Sequence, residues 1–268
     1  MDMQGQGNMT NNLKLIRKFL KAIVVILPEL IGFLGFITLW QLGAMQYNPV
    51  ILPSPLETFI ALKNLAATNR LTDAIFTTIF DTFSGFAIAT LSGIFLGIAA
   101  GMQPFIRRSL GPILSALQGV PPIAWIAIAL LWFGTGNSTP IFTVFVATLP
   151  VIFIGAVEGF RNLDSQLLEM AKSFRLPVSA LLEDLYLPHL LSSLFPSIAA
   201  ALGLAWRVAV MSEFLSSERG IGAEMNIARI NLDTAEVMAL VIVAVVLILI
   251  SEYLILRPIR RFLEPWHQ

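Results

Sequence analysis

Few side chains in this sequence can do chemistry, and three of them stand where charge is expensive. Asp81, Arg207 and Glu213 each interrupt a long apolar run. An arginine at the centre of a membrane span costs about 2.5–3.5 kcal/mol on insertion scales. Arg207 is therefore expected to face a cavity, pair with an acid or meet an anion. Arg207 and Glu213 do not have the i,i+4 spacing that stacks side chains on one helix face, so Asp81 is the freer partner within the chain. Glu213 falls near the end of its apolar run, where a gate or a structural hydrogen bond fits better than proton transfer. Gln118 and Trp125 flank Pro121-Pro122. That pair should kink its helix, and a kink near the midplane shapes a cavity. Asp81, Gln118, Trp125, Arg207 and Glu213 are thus the candidates for lining a path through a membrane.

Other chemistries are excluded. There is no cysteine, which removes disulfides, thiolate metal sites and a cysteine nucleophile. His189 and His267 are too few for a histidine-based metal site. The chain lacks a G-x-x-x-x-G-K-[ST] phosphate loop, so it has no ATPase site of that kind. Neither a catalytic residue nor a cofactor is assigned to it. The formal net charge is zero, and nothing points to nucleic acid.

The elements that must position these residues are membrane helices. Hydrophobic residues make up 56% of the 268 and charged ones 13%, against about 25% charged in soluble domains. Mean hydropathy is +0.80. After a polar, basic tail over residues 1–21, Ala22 to Ala44 is too long for the roughly 7–15 residues of a signal-peptide core and reads as a retained span. Leu52-Pro53-Ser54-Pro55 and the amphipathic run to Leu65 predict a turn and a short interfacial helix. Ala74 to Met102 is the second span. Its Gly93, Gly97 and Gly101 share one face, where small residues admit a close neighbour. Ser109 to Val157 carries no Asp, Glu, Lys or Arg and suits two spans joined by a turn at Gly134–Pro140. Leu191 to Leu215 and Val237 to Leu256 complete six.

Six spans put both termini on one side. Twelve Lys and Arg fall on the side of the N-terminus and four on the other, which predicts an N-in, C-in topology. The 158–188 segment is then cytoplasmic. It reads as two short amphipathic helices broken at Leu176-Pro177 and ended by Leu187-Pro188. If the chain is a pump, its motor is another subunit that must grip it from the cytoplasm, and this segment is the handle. A surface loop packed on its own bundle has the same pattern.

Glu169-Met-Ala-Lys-Ser-Phe-Arg175, followed by Leu187-Pro188, resembles the EAA loop of binding-protein-dependent ABC importer permeases. Glu169, Ala171, Leu187 and Pro188 match that pattern. Met170 stands for an Ala and Arg175 for the usual Gly, so the turn between the helices is where the match departs. The flanking amphipathic helices remain. Leu52-Pro53-Ser54-Pro55, Gly119-Val-Pro-Pro-Ile-Ala-Trp125, Leu131-Trp-Phe-Gly134, Gly203-Leu-Ala-Trp206, Glu213 and Gly220-Ile-Gly222 are similar, in order and spacing, to the nitrate/sulfonate/taurine/bicarbonate branch.

The resemblance implies an all-α membrane protein with a six-helix type I ABC importer permease fold and a MetI-like core. The transmembrane domain would cover 22–268, with its coupling loop at 158–188. Glu169, Ala171, Lys172, Arg175, Leu187 and Pro188 would couple to the ATPase. The implied partners are a second permease subunit, expected to be a second copy, two cytoplasmic ABC ATPases that hold ATP and Mg, and an extracytoplasmic substrate-binding protein. The setting would be a bacterial cytoplasmic (inner) membrane and the cargo a small anion. An ion-coupled carrier or channel would need paired acids near the midplane, whereas Asp81 and Glu213 lie toward the outer side. A non-transporting scaffold would use the loop but no cavity residues.

Overall fold

The computed structural model describes residues 27–28, 30–163, 165–174, 176–256 and 258. The predicted tail over 1–21, Arg175 and the side chain of Lys172 lie outside the described residues. Among those described, every regular element is a helix. Four helices are individually long and apolar enough to cross a bilayer: α3 (Asn69–Met102), α6 (Ser138–Arg161), α9 (Leu187–Ser216, with the turn before it) and α11 (Thr234–Ser251, with the turn after it). α4 (Pro104–Gly119) and α5 (Pro122–Phe133) form a sharply bent apolar pair that makes a fifth crossing if the two count as one span, and α1 (Leu30–Ala44) is a shorter apolar helix.

Short helices cap the two ends of the bundle. α2 (Pro55–Ala66) and α10 (Ile221–Ile230) lie at one end, α7 (Ser165–Ser173) and the single turn α8 (Val178–Ala180) at the other. α2 starts as its sequence predicts. Ser54 Oγ accepts from the Glu57 N–H at 3.2 Å and Glu57 Oε2 accepts from the Ser54 N–H at 2.7 Å, a reciprocal pair that satisfies two orphan donors. The Trp40 indole N–H donates to the Pro53 carbonyl at 2.9 Å and ties α1 to this turn.

α6 is the hub of the bundle, with α3 on one side and α9 on the other. Glycine makes both approaches possible. A Cβ on Gly85 or Gly97 of α3 would overlap α6 backbone, and one on Gly101 would meet the Phe160 ring. On the opposite face of α6, a Cβ on Gly155 would overlap Ser197 and one on Gly159 would meet Ser193 and Leu190 of α9. The small-residue stripe of the second span is therefore an internal seam, not a surface for another subunit.

Two local expectations are corrected. Pro121-Pro122 breaks its helix rather than kinking it: α4 and α5 meet at 98°, because Pro121 is extended and Pro122 opens a new helix. Leu187-Pro188 does not end the second cytoplasmic helix. A wide π-helical segment over Leu181–Tyr186 leads straight into α9, and a wide turn accommodates a proline that lacks an N–H to donate backward.

Candidate functional site

The polar interior lies at the α2–α10 end. Glu213 of α9 is fully buried. Its Oε2 accepts from the Thr78 hydroxyl at 2.8 Å and from the Gly222 N–H at 3.0 Å, and Thr78 Oγ1 accepts from the Ile221 N–H at 2.9 Å. One carboxyl thus holds α3, α9 and the start of α10 together. Gly220 makes the approach possible: its φ of 107° suits glycine, and a Cβ there would sit on the Glu213 carboxyl. Asp81, one turn along α3 from Thr78, is also fully buried. Asn137 is its polar neighbour, but neither carboxyl oxygen makes a hydrogen bond of ordinary geometry.

The fold therefore brings Asp81 and Glu213 into one neighbourhood, both fully buried. Oε2 of Glu213 is committed to the α10 turn, which makes it a structural clasp in this state. The adjoining turn is closed by Ser217 Oγ donating to the Gly136 carbonyl at 3.1 Å and by the Gly136 N–H donating to the Ser216 carbonyl at 3.2 Å. The roles of Thr78 and the Gly220–Gly222 turn were not legible in advance. Their only signal was a Gly-x-Gly shortly after an acid in an apolar run.

Arg207 is elsewhere. It forms no ion pair with Asp81 or Glu213 among the described residues, so the expected internal partner is not used. It lies on the exposed side of α9, where its Nε donates to the Gly203 carbonyl at 2.9 Å. Beside it runs a groove of about 340 Å³ between α9, α10 and α11, walled by Trp206, Val210, Phe214, Met225, Val241 and Val245. Gln118 is exposed at the end of α4, just before the break, and Trp125 is half-buried on α5. The five path candidates thus divide into a closed pair and three residues at or near the surface.

At the rim of the α2–α10 end, the Arg70 guanidinium of α3 donates to Glu224 of α10 and, at 3.3 Å, to Glu236 of α11. No sequence spacing links these three residues. At the opposite end, α7 buries Ala171 and turns its other face outward. Leu167, Met170 and Leu176 are exposed, and Phe174 is 74% exposed. Glu169, Leu187 and Pro188 are also on the surface. The Leu176 N–H closes the end of α7 by donating to the Ala171 carbonyl at 3.1 Å, the 6→1 bond of a helix stop. Tyr186 stacks on Phe160 with ring centroids 5.1 Å apart and fastens this end to α6.

Comparison with known proteins places these features in a family. The profile described as binding-protein-dependent transport system inner membrane component matches residues 93–266. The chain is 27% identical over 234 residues to the taurine transport system permease protein TauC of Escherichia coli, covering 85% of each chain. It is 33% identical over 210 residues to the putative aliphatic sulfonates transport permease protein SsuC of the same species, covering 78% of this chain and 80% of that one. The bicarbonate transport system permease protein CmpB of Synechocystis is 29% identical over 205 residues, 72% of each chain.

Proposed function

Because the chain belongs to the family of binding-protein-dependent transport system inner membrane components, we propose that it is the permease subunit of an ATP-driven importer that moves a small anion into the cytoplasm. The observation that carries this reading is the uncovered apolar face of α7 and its turn, with Met170 and Phe174 outward. Exposed apolar groups of that size at the water-facing end of a bundle call for a partner, and a short rigid helix suits a groove. The partner is an ABC ATPase pair that holds ATP and Mg. Glu169, Ala171, Lys172, Arg175, Leu187 and Pro188 form or support the docking elbow within the 158–188 loop, in a transmembrane domain over 22–268 that follows a cytoplasmic tail over 1–21.

In this reading the chain is N-in and C-in in a bacterial cytoplasmic membrane, paired with a second copy. A binding protein delivers solute at the α2–α10 end. ATP favours one of two states of the pair, and differential affinity is all that coupling requires. The cargo is anionic: the relatives are named for taurine, aliphatic sulfonates and bicarbonate, and Arg207 is a cation exposed at mid-helix. Gln118 and Trp125 would line the same path beside the α4–α5 break. Asp81 and Glu213 would hold its outer end together.

Affinity purification of the chain from its native membrane is expected to bring an ATPase with it. Met170→Asp with Phe174→Asp should reach the membrane at the wild-type level and lose that ATPase. Solute uptake into proteoliposomes driven by an ion gradient, with no ATP present, would overturn the proposal.

A further inference from the structure

We infer that the groove between α9, α10 and α11 is a binding subsite for an anion with an apolar body, its acid group on Arg207 and its alkyl or aryl part along the wall. This rests on the importer reading and narrows it to a ligand class. Three observations carry it. Arg207 is the sole charged residue that lines the groove, and nothing acidic among the described residues neutralises it. The wall beside it is apolar, from Val210 and Phe214 to Val241 and Val245. Trp206 forms the inner side, and its indole N–H is buried without an acceptor.

A bare inorganic oxyanion uses the cation but leaves the wall without partners. A neutral apolar solute fills the wall but leaves the guanidinium unpaired at a depth where charge is costly. An amphiphilic anion satisfies both. Met225, and Met211 beside it, are unbranched and adapt to bodies of different shape. Depth separates a solute from a lipid. The stretch from Arg207 to Ser216 is roughly 14 Å of helix, about half the thickness of a hydrocarbon core. A phospholipid headgroup stays at the interface and does not reach that far.

The test uses the full chain with whatever ATPase co-purifies, in phosphatidylcholine nanodiscs, titrated with ethane-, butane- and hexanesulfonate. Affinity is expected to rise about three- to fourfold for each added methylene. Arg207→Gln should lower hexanesulfonate affinity about tenfold or more, Arg207→Lys should restore part of it, and hexyltrimethylammonium should not compete. The chain-length series on wild-type protein needs no variant to fold. Equal affinity across the series, or equal binding by wild type and Arg207→Gln, overturns the subsite. So does loss of binding when phosphatidylglycerol replaces phosphatidylcholine, since the groove would then be a lipid site. If an ATPase co-purifies but hexanesulfonate does not bind, the subsite fails and the importer reading stands. If no ATPase co-purifies, the importer reading fails whatever the groove binds.

Discussion

Glu213 illustrates how a residue's chemistry depends on what surrounds it. From its position in the chain it is an acid near the end of an apolar run. In the fold one of its oxygens takes hydrogen bonds from Thr78 and Gly222 and closes α10 onto the bundle. Glu213→Ala would leave a buried hydroxyl and a buried N–H without acceptors, at about 1–3 kcal/mol each. Its thermal midpoint in detergent should fall well below wild type. Glu213→Gln keeps an acceptor oxygen and removes a charge that burial opposes, so its midpoint should stay close to wild type. Equal midpoints for Ala and wild type would show that the clasp does not hold α10. Arg207 is the opposite case: its charge was legible as an anomaly, but its partner was not. The nearby acid, Glu213, turns toward α10, and Arg207 is left to the exposed face.

Between elements, backbone approach decides more than side-chain burial. The α3–α6 seam works only because Gly85, Gly93, Gly97 and Gly101 leave room. Gly97→Val would push a branched side chain into Ala156 and the Phe153 carbonyl. Overpacking of this kind costs about 1–3 kcal/mol, which a thermal melt of the purified chain should register. Gly111→Val is the control, because a Cβ there meets nothing within 4 Å. At the end of α10, Leu232 has a φ of 58°. The Asp233 N–H donates to the Ala228 carbonyl at 2.9 Å, and the Leu232 N–H donates to the Arg229 carbonyl at 3.1 Å, so Leu232 fills the left-handed position where glycine is favoured. The Leu232 side chain is exposed, so little packing is lost when it is removed. Leu232→Gly should raise stability by about 1 kcal/mol, read as a higher melting temperature. A lower one would mean that the side chain packs against something in the working complex.

Across the whole molecule, polar work is segregated by depth. The α2–α10 end holds the Glu213 clasp and the Arg70–Glu224–Glu236 cluster, which together tie α3, α9, α10 and α11. The middle holds a close-packed α3–α6–α9 core and, on one flank, the groove with Arg207. The opposite end presents α7 and its exposed apolar face. α6 runs from the Gly136 turn to Arg161 and spans both ends, with Phe160 stacked on Tyr186 at its far end. The segment before α9 therefore meets the core at two helices, running directly into α9 and stacking Tyr186 on Phe160 of α6, and close-packed interfaces of this kind transmit strain rather than absorb it.

The sequence by itself determined that this is a membrane protein and where most of its helices run, because hydrophobic length is a local property that needs no partner. It also determined the short helix after Pro55, the Gly134 turn and the amphipathic α7 with its stop before Pro177, since proline and glycine turns and amphipathic spacing are written in neighbouring residues. It could not decide which of the rare charges meet. Asp81 and Glu213, Thr78 and Ile221, and Arg70 and Glu236 are far apart in the chain, and their pairing depends on helix rotation and on how closely glycine lets the backbones come. Pro121-Pro122 shows the same limit on a smaller scale. The pair signalled a disturbance, and Pro121 held extended before Pro122 makes it a break, but its 98° angle and the exposure of Gln118 beside it are visible only in the fold.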